Sequence, residues 1–178
     1  MRASSLLPAA LLLSALAIGG ADAQDFGGAF GGFDANSSEP IQIESDRLEV
    51  NDTDKVAIYI GNVRVRQGDT ILEAPKLTVF YAGEPAADGS GPRSQVTRME
   101  AGPGVTVRSG EQTATGDHIV FDMPNDLVTL EGGVVLTEGE NVVRGERLVV
   151  NLTTKIGHVE GGRVQTLITP SRDAPETQ

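Results

Sequence analysis

A repeated strand-turn-strand pattern constrains this chain more than any other feature of its sequence. In the clearest copy, Val63 and Val65 alternate with two arginines, which is the period-2 pattern of a half-buried strand. A turn at Gln67–Asp69 follows, and Leu77 and Val79 alternate with polar residues on the return strand. A helix is disfavoured because apolar residues spaced by two would be scattered around a 3.6-residue period.

The pattern recurs at a nearly constant interval. Each return strand begins with a charged or polar residue followed by an aliphatic one, and these aliphatic residues are Leu48, Leu77, Ile119 and Leu148. They are separated by 29, 42 and 29 residues, and the longer interval fits a loop insertion within Ala82–Ser94, which is rich in Gly, Pro and Ala. The chain is therefore predicted to be all-β, built from stacked repeats that bury their apolar faces against one another.

The first 23 residues have the composition of a secretory signal peptide. A basic start at Arg2 precedes the apolar stretch Leu6–Ile18, and Ala21-Asp22-Ala23 matches a cleavage site. The apolar stretch is too short to span a bilayer as a helix. We therefore predict that residues 1–23 are removed and that the protein is exported.

Two further segments are predicted to lie outside the repeat domain, which covers residues 40–170. Residues 24–39 are rich in Gly and Phe and indicate a flexible linker, with a partner-docking segment as the alternative. Residues 171–178 indicate a disordered tail.

The composition excludes several classes of function. The net charge of −11 argues against binding nucleic acid or adsorbing electrostatically to an anionic membrane. The chain has no cysteine, no metal-binding motif, no Gly-rich phosphate loop and no nucleophile elbow, so no cofactor is predicted. His118 and His158 occupy outward strand positions, and most carboxylates lie in turns or on outward faces, as is usual for a soluble surface.

The inward-facing aliphatic rows have two possible roles. They could fill a closed β core, or they could line a groove for an aliphatic ligand, since flexible acyl chains pack well against branched aliphatic side chains. Composition does not separate these interpretations. The positions assigned to such a groove by alternation are Val63, Val65, Leu77, Ile119, Phe121 and Leu148.

Three motifs together resemble a known family. Pro40–Asp46 is similar to its opening motif, Gly61–Gly68 to its G-N-V-x-V-x-Q-G signature, and Glu131–Leu136 to a degenerate copy. On these residues the chain resembles the OstA-like family of lipopolysaccharide-transport proteins over roughly residues 40–170.

The resemblance implies an open, twisted β-jellyroll of stacked antiparallel strands and a non-enzymatic role in the periplasm of Gram-negative bacteria. It implies that lipid A acyl chains bind in the groove, where Ile41 and Ile43 fall on the lipid-contacting first strand. Val107 falls where relatives can carry an aromatic residue. It also implies head-to-tail self-association through edge strands, with an LptC-like partner at the inner membrane and an LptD-like partner at the outer membrane.

Two alternatives stay open at this stage. One is a structural β-solenoid scaffold with a closed core and no lipid ligand. The other is a carbohydrate-active enzyme that uses paired carboxylates, which would require inward-facing acids that the pattern does not show.

Overall fold

A computed structural model describes residues 28–30, 32–33, 39–83 and 96–169. The predicted signal peptide, most of the predicted loop insertion and the predicted tail lie outside these residues. The described chain consists of β-strands and two short 3-10 turns, at Gly28–Phe30 and Met123–Asn125. None of it forms a helix long and apolar enough to cross a bilayer.

Twelve antiparallel strands form one continuous sheet. Four of them are long hairpin strands of 11 or 12 residues, and the others are shorter. The strands are β1 (Gln42–Glu44), β2 (Arg47–Asn51), β3 (Val56–Gln67), β4 (Thr70–Tyr81), β5 (Val96–Ala101), β6 (Val105–Ser109), β7 (Gln112–Gly116), β8 (His118–Asp122), β9 (Leu127–Glu138), β10 (Asn141–Asn151), β11 (Ile156–Glu160) and β12 (Gln165–Leu167).

Each long strand belongs to two half-sheets. One half of β3 pairs with β2 and the other half with β1, and β4, β9 and β10 divide their partners in the same way. Half-sheet A therefore runs in the order β2-β3-β4-β5-β8-β9-β10-β11. Half-sheet B runs in the order β1-β3-β4-β6-β7-β9-β10-β12.

A line of irregular residues, which we call the crease, separates the half-sheets. The β3–β4 register breaks between Ile60 and Val63, and the β9–β10 register breaks between Gly145 and Arg147. Extra residues of this kind bend a strand and increase its local twist. The crease therefore folds the sheet so that its two halves face each other, which gives the jellyroll-like arrangement.

Close contacts at the crease repeat along the chain. Gly61, Gly132 and Gly161 all have a positive φ of 82–83°, and a Cβ on each would collide with an acidic residue 15 positions earlier: Asp46, Asp117 and Glu146 respectively. Glycine is required at these positions both for its backbone angle and for the close approach. Asp46 and Asp117 directly precede β2 and β8, and Glu146 lies within β10, two positions before Leu148.

Side chains from both half-sheets form one core. It is largely aliphatic, with Tyr59, Tyr81 and Phe121 among its members, and Gln67 and Thr70 are the buried polar residues of the described chain. The all-β prediction is confirmed. The division of each long strand between two half-sheets was not predicted, because alternation of side chains continues on both sides of a bulge.

Candidate lipid-binding groove

The space between the two half-sheets is the candidate groove, and the predicted site residues face it. Seven of them are buried, with at most 1% of each side chain exposed: Val63, Val65, Leu77, Val107, Ile119, Phe121 and Leu148. They come from five strands that belong to both half-sheets. Six of them were predicted from alternation and Val107 from the resemblance, and all seven share one interior.

The other two predicted residues lie at one end of this interior. Ile43 is half-buried and packs against the core, opposite Val65 in the β1–β3 ladder. Ile41 precedes β1 and is 42% exposed. The predicted row therefore runs from a closed centre to an accessible end.

That accessible end also exposes the apolar face of β2. Leu48 is opposite Tyr59, and Val50 is opposite Ala57. Residues directly opposite each other in an antiparallel ladder share a face, so Leu48 and Val50 lie on the interior face, yet they are 43% and 54% exposed. We call this region, comprising β1, β2 and Ile41, the N-terminal end of the groove.

The opposite end is apolar and exposed as well. Ile156, Val164, Leu167 and Ile168 lie on or beside β11 and β12, which form the C-terminal end of the groove, and are 45–61% exposed. Ile156 and Leu167 are on the outer face, since they are opposite the outward-facing Asn151 and Val142. Val159 faces the interior, since it is opposite Leu148 and packs against the core. Among the described residues, every large hydrophobic side chain with high exposure lies at this C-terminal end or at the N-terminal end.

Each end also has unpaired strand edges within the described chain. β1 and β2 pair only with β3, and β11 and β12 pair only with β10. The free backbone N–H and C=O groups of such strands can pair with another chain. The molecule therefore has two different apolar ends with open ladders, at opposite ends of the strand order.

The outer face of half-sheet B carries an ion-pair cluster. Glu73 accepts hydrogen bonds from Arg64 and Arg108, each with a 2.6 Å contact to a different carboxylate oxygen. These hydrogen bonds lower the pKa of the Glu73 carboxyl, and the bond from Arg64 contributes most. No group of three or more described His, Asp or Glu residues is placed to hold a metal ion.

Two tyrosines place phenol groups within the interior. Burial raises the pKa of Tyr59, so this phenol stays neutral over the physiological range. The hydroxyl of Tyr81 is buried and makes no hydrogen bond to any described residue. Both histidines lie on outward strand positions, with His118 half-buried opposite Glu131 and His158 exposed.

The most unexpected part of the interior is contributed by the Gly/Phe-rich segment. Ala29, Phe30 and Phe33 are at most 1% exposed and belong to the core. For these residues the structure differs from the flexible linker that composition predicts. Alternation could not identify them because they belong to no strand; the only sequence signal was the concentration of Phe residues in a chain with few aromatics.

Comparison with known proteins decides the family. The family model described as "LptA/(LptD N-terminal domain) LPS transport protein" matches residues 42–156, well over half of the 178-residue chain. The chain belongs to this family. The match spans β1 to β10, which include all the long strands, and ends at the first residue of β11. It confirms the resemblance in the sequence motifs, and with it an LptA-like role in lipopolysaccharide transport.

One curated protein and one solved structure are similar to this chain. An uncharacterized protein of Rhizobium meliloti (strain 1021) is 38% identical over 131 residues, which cover 74% of this chain and 70% of that protein. The crystal structure of LptH, described as the LptA-homologous periplasmic component of the lipopolysaccharide transport device of Pseudomonas aeruginosa, is similar with a TM-score of 0.62. It is 19% identical and covers 74% of this chain and 96% of LptH, so it shows that the two share a fold.

Proposed function

We propose that this family member is a periplasmic carrier that holds the acyl chains of lipopolysaccharide between its half-sheets. It passes the lipid from the inner to the outer membrane within a head-to-tail bridge of similar folds. The observation that supports this most is the apolar interior with an exposed apolar surface at each of its two ends. A lipid that enters at one end could leave at the other without exposing its chains to water.

Acyl chains suit this interior chemically. The strands line it almost entirely with Val, Leu, Ile and Ala, and Ile43 and Val159 continue the lining toward the two ends. Moving a methylene group from water into such surroundings contributes about 0.8 kcal/mol before other costs. Burial of one acyl chain can therefore offset the loss of contacts between half-sheets that must separate to admit it.

The proposed bridge depends on the strand edges. The β1/β2 edge of one molecule would pair with the β11/β12 edge of the next, which continues both half-sheets and joins the exposed apolar ends. Because the two edges differ, the contact is heterologous and can extend into a chain. The same edges would meet an LptC-like partner at the inner membrane and an LptD-like partner at the outer membrane.

Photocrosslinking tests lipid binding directly. A photoreactive residue replaces Ile43, which is half-buried and faces the interior, and the protein is mixed with purified lipopolysaccharide. Glu49, on the outer face of β2 opposite Ile58, is the matched control. We expect an adduct at position 43 and none at position 49.

The structural-scaffold alternative gives the opposite result. A closed core would give no adduct at position 43 and none from a second probe at Val159 near the other end. That result would reject the carrier. An adduct at position 49 equal to that at position 43 would show nonspecific contact with lipid micelles and would also count against the groove.

A further inference from the structure

The Gly/Phe-rich segment fills part of the same interior. We call described residues 28–30 and 32–33 the Phe strap. Phe30 and Phe33 are 0% and 1% exposed and are among the largest fully buried side chains of the described chain. The strap belongs to neither half-sheet, so its seating depends on side-chain packing and not on a strand ladder.

The strap joins the tips of the two half-sheets, which are the strand ends farthest from the crease. Its 3-10 turn packs against β6 and β7 of half-sheet B. The ring of Phe33 meets Phe121, next to the last residue of β8 in half-sheet A, edge-on at 5.2 Å between centroids. The strap therefore crosses the gap between the half-sheets on the side opposite the crease.

Gly32 of the strap and Glu39, the next residue of the chain that the structure describes after Phe33, both lie near the β3–β4 turn. A Cβ on Gly32 would lie only 2.9 Å from the carbonyl oxygen of Gln67 and would collide with Thr70. The side-chain amide of Gln67 donates a 3.1 Å hydrogen bond to the carbonyl of Glu39. Gln67 and Thr70, the two buried polar residues, thus lie where the segment approaches the tip of half-sheet B.

We infer that the Phe strap is a displaceable plug of the groove and that lipid acyl chains compete with it for the same space. This inference rests on the proposed function. Phe side chains and acyl chains are both apolar, so one can replace the other in the interior without leaving buried polar groups unpaired. The empty carrier then keeps its apolar interior covered, and reseating of the strap favours release of the lipid.

While the plug is seated, the groove cannot bind lipid. The apparent affinity for lipid is therefore the intrinsic affinity multiplied by the fraction of molecules whose plug is displaced. Locking it in place should therefore block lipid binding, whereas removing its Phe side chains should strengthen binding. An ordinary core segment would behave differently. Its removal would loosen the protein and weaken binding, and its locking would have no effect.

A disulfide provides the lock. The chain has no native cysteine, so the double variant Gly32→Cys/Thr70→Cys contains only the designed pair. A Cβ at position 32 would lie 2.5 Å from the Cβ of Thr70, and a small shift of the strap brings the two atoms to the roughly 3.8 Å of a disulfide. The oxidised and reduced forms of this variant differ only in the lock, and Gly32→Cys alone controls for the added side chain.

The measurement is the dissociation constant for fluorescently labelled lipopolysaccharide. We expect the oxidised form to bind at least about tenfold more weakly than the reduced form. Equal binding would overturn the strap inference while leaving the carrier intact. If neither form binds and the unmodified protein does not bind either, lipid carriage is overturned, and the strap inference with it. Failure of the disulfide to form in the folded protein would place Gly32 away from Thr70 and would also reject the plug.

A second variant tests the same inference without a crosslink. Phe30→Ser/Phe33→Ser removes the apolar contacts of the strap and should bind lipopolysaccharide about tenfold more tightly. Circular dichroism checks that the sheet is retained. Weaker binding by a folded double variant would mean that these rings support the lipid site, and the plug would be rejected.

Discussion

Glycine at the crease offers a sharp test of how this sheet folds on itself. Gly132 and Gly133 are adjacent in β9 and both have positive φ, of 83° and 60°. A Cβ on Gly132 would lie 2.6 Å from the Cβ of Asp117, whereas a Cβ on Gly133 would meet nothing within 4 Å. Alanine at the two positions therefore separates backbone strain from collision across the crease.

The expected magnitudes follow from this difference. Gly133→Ala should lower the free energy of unfolding by about 1–2 kcal/mol, the cost of holding a residue with a Cβ in the left-handed region. Gly132→Ala adds a collision with Asp117 that forces a backbone shift, for a total of about 2–5 kcal/mol. Urea unfolding followed by circular dichroism measures both values.

The substitution Asp117→Gly serves as the internal control, because it removes the Cβ that a side chain at position 132 would meet. In that background Gly132→Ala should cost no more than Gly133→Ala costs in the parent protein. Equal costs for the two alanines in the parent, or no relief by Asp117→Gly, would refute the close-packed crease.

Three other predictions concern the ends, the surface and the interior. Ile168→Asp and Val50→Asp should each leave the fold intact, because both residues are more than half exposed, and each variant alone should be monomeric in analytical ultracentrifugation, since every head-to-tail contact needs both kinds of end. An equimolar mixture should form heterodimers through the two intact ends, and its failure to do so would exclude head-to-tail contact. The pKa of Glu73 is lowered in the folded protein, so its ion pairs stabilise the fold above its ordinary pKa of 4.5 and are lost as pH falls through the lowered value. In Glu73→Gln the urea concentration at the unfolding midpoint should therefore fall less steeply as the pH is lowered below 5. An unchanged dependence of the midpoint on pH would contradict this. Tyr81→Phe should raise the free energy of unfolding by about 1 kcal/mol, since it removes a buried hydroxyl that pairs with no described residue; a lower thermal midpoint would reject that account.

The alternation of residues correctly predicted which side chains of a strand face inward, because its physical cause is local. Val63 and Val65 face inward and Arg64 faces outward whatever lies beyond the strand, since successive side chains of an extended chain point to opposite faces. The turn predicted at Gln67–Asp69 is the β3–β4 connection. The 29-residue spacing likewise reflects a structural repeat, since an acidic residue at the crease stands two positions before Leu48, Ile119 and Leu148.

Other features depend on contacts between distant parts of the chain. Residues 56–60 and 63–66 read as separate strand patterns, yet β3 is continuous and passes through the crease at Gly61. Leu48 and Leu148 occupy equivalent repeat positions, but one is 43% exposed and the other fully buried. Burial at a repeat position is decided by whether neighbouring strands cover it, and the strands at the ends of a stack lack such a neighbour.

The sequence by itself determined the strand class, the period of the repeat, the residues that face inward and the family motifs. Each of these is carried by the order of side chains along the backbone. Only the tertiary structure decided that the interior is closed at its centre and exposed at two ends, and that Phe30 and Phe33 fill part of it. Those outcomes arise because apolar surface is buried wherever the folded sheet leaves space for it, and a Gly-rich segment with no periodicity of its own does not encode where that space will be.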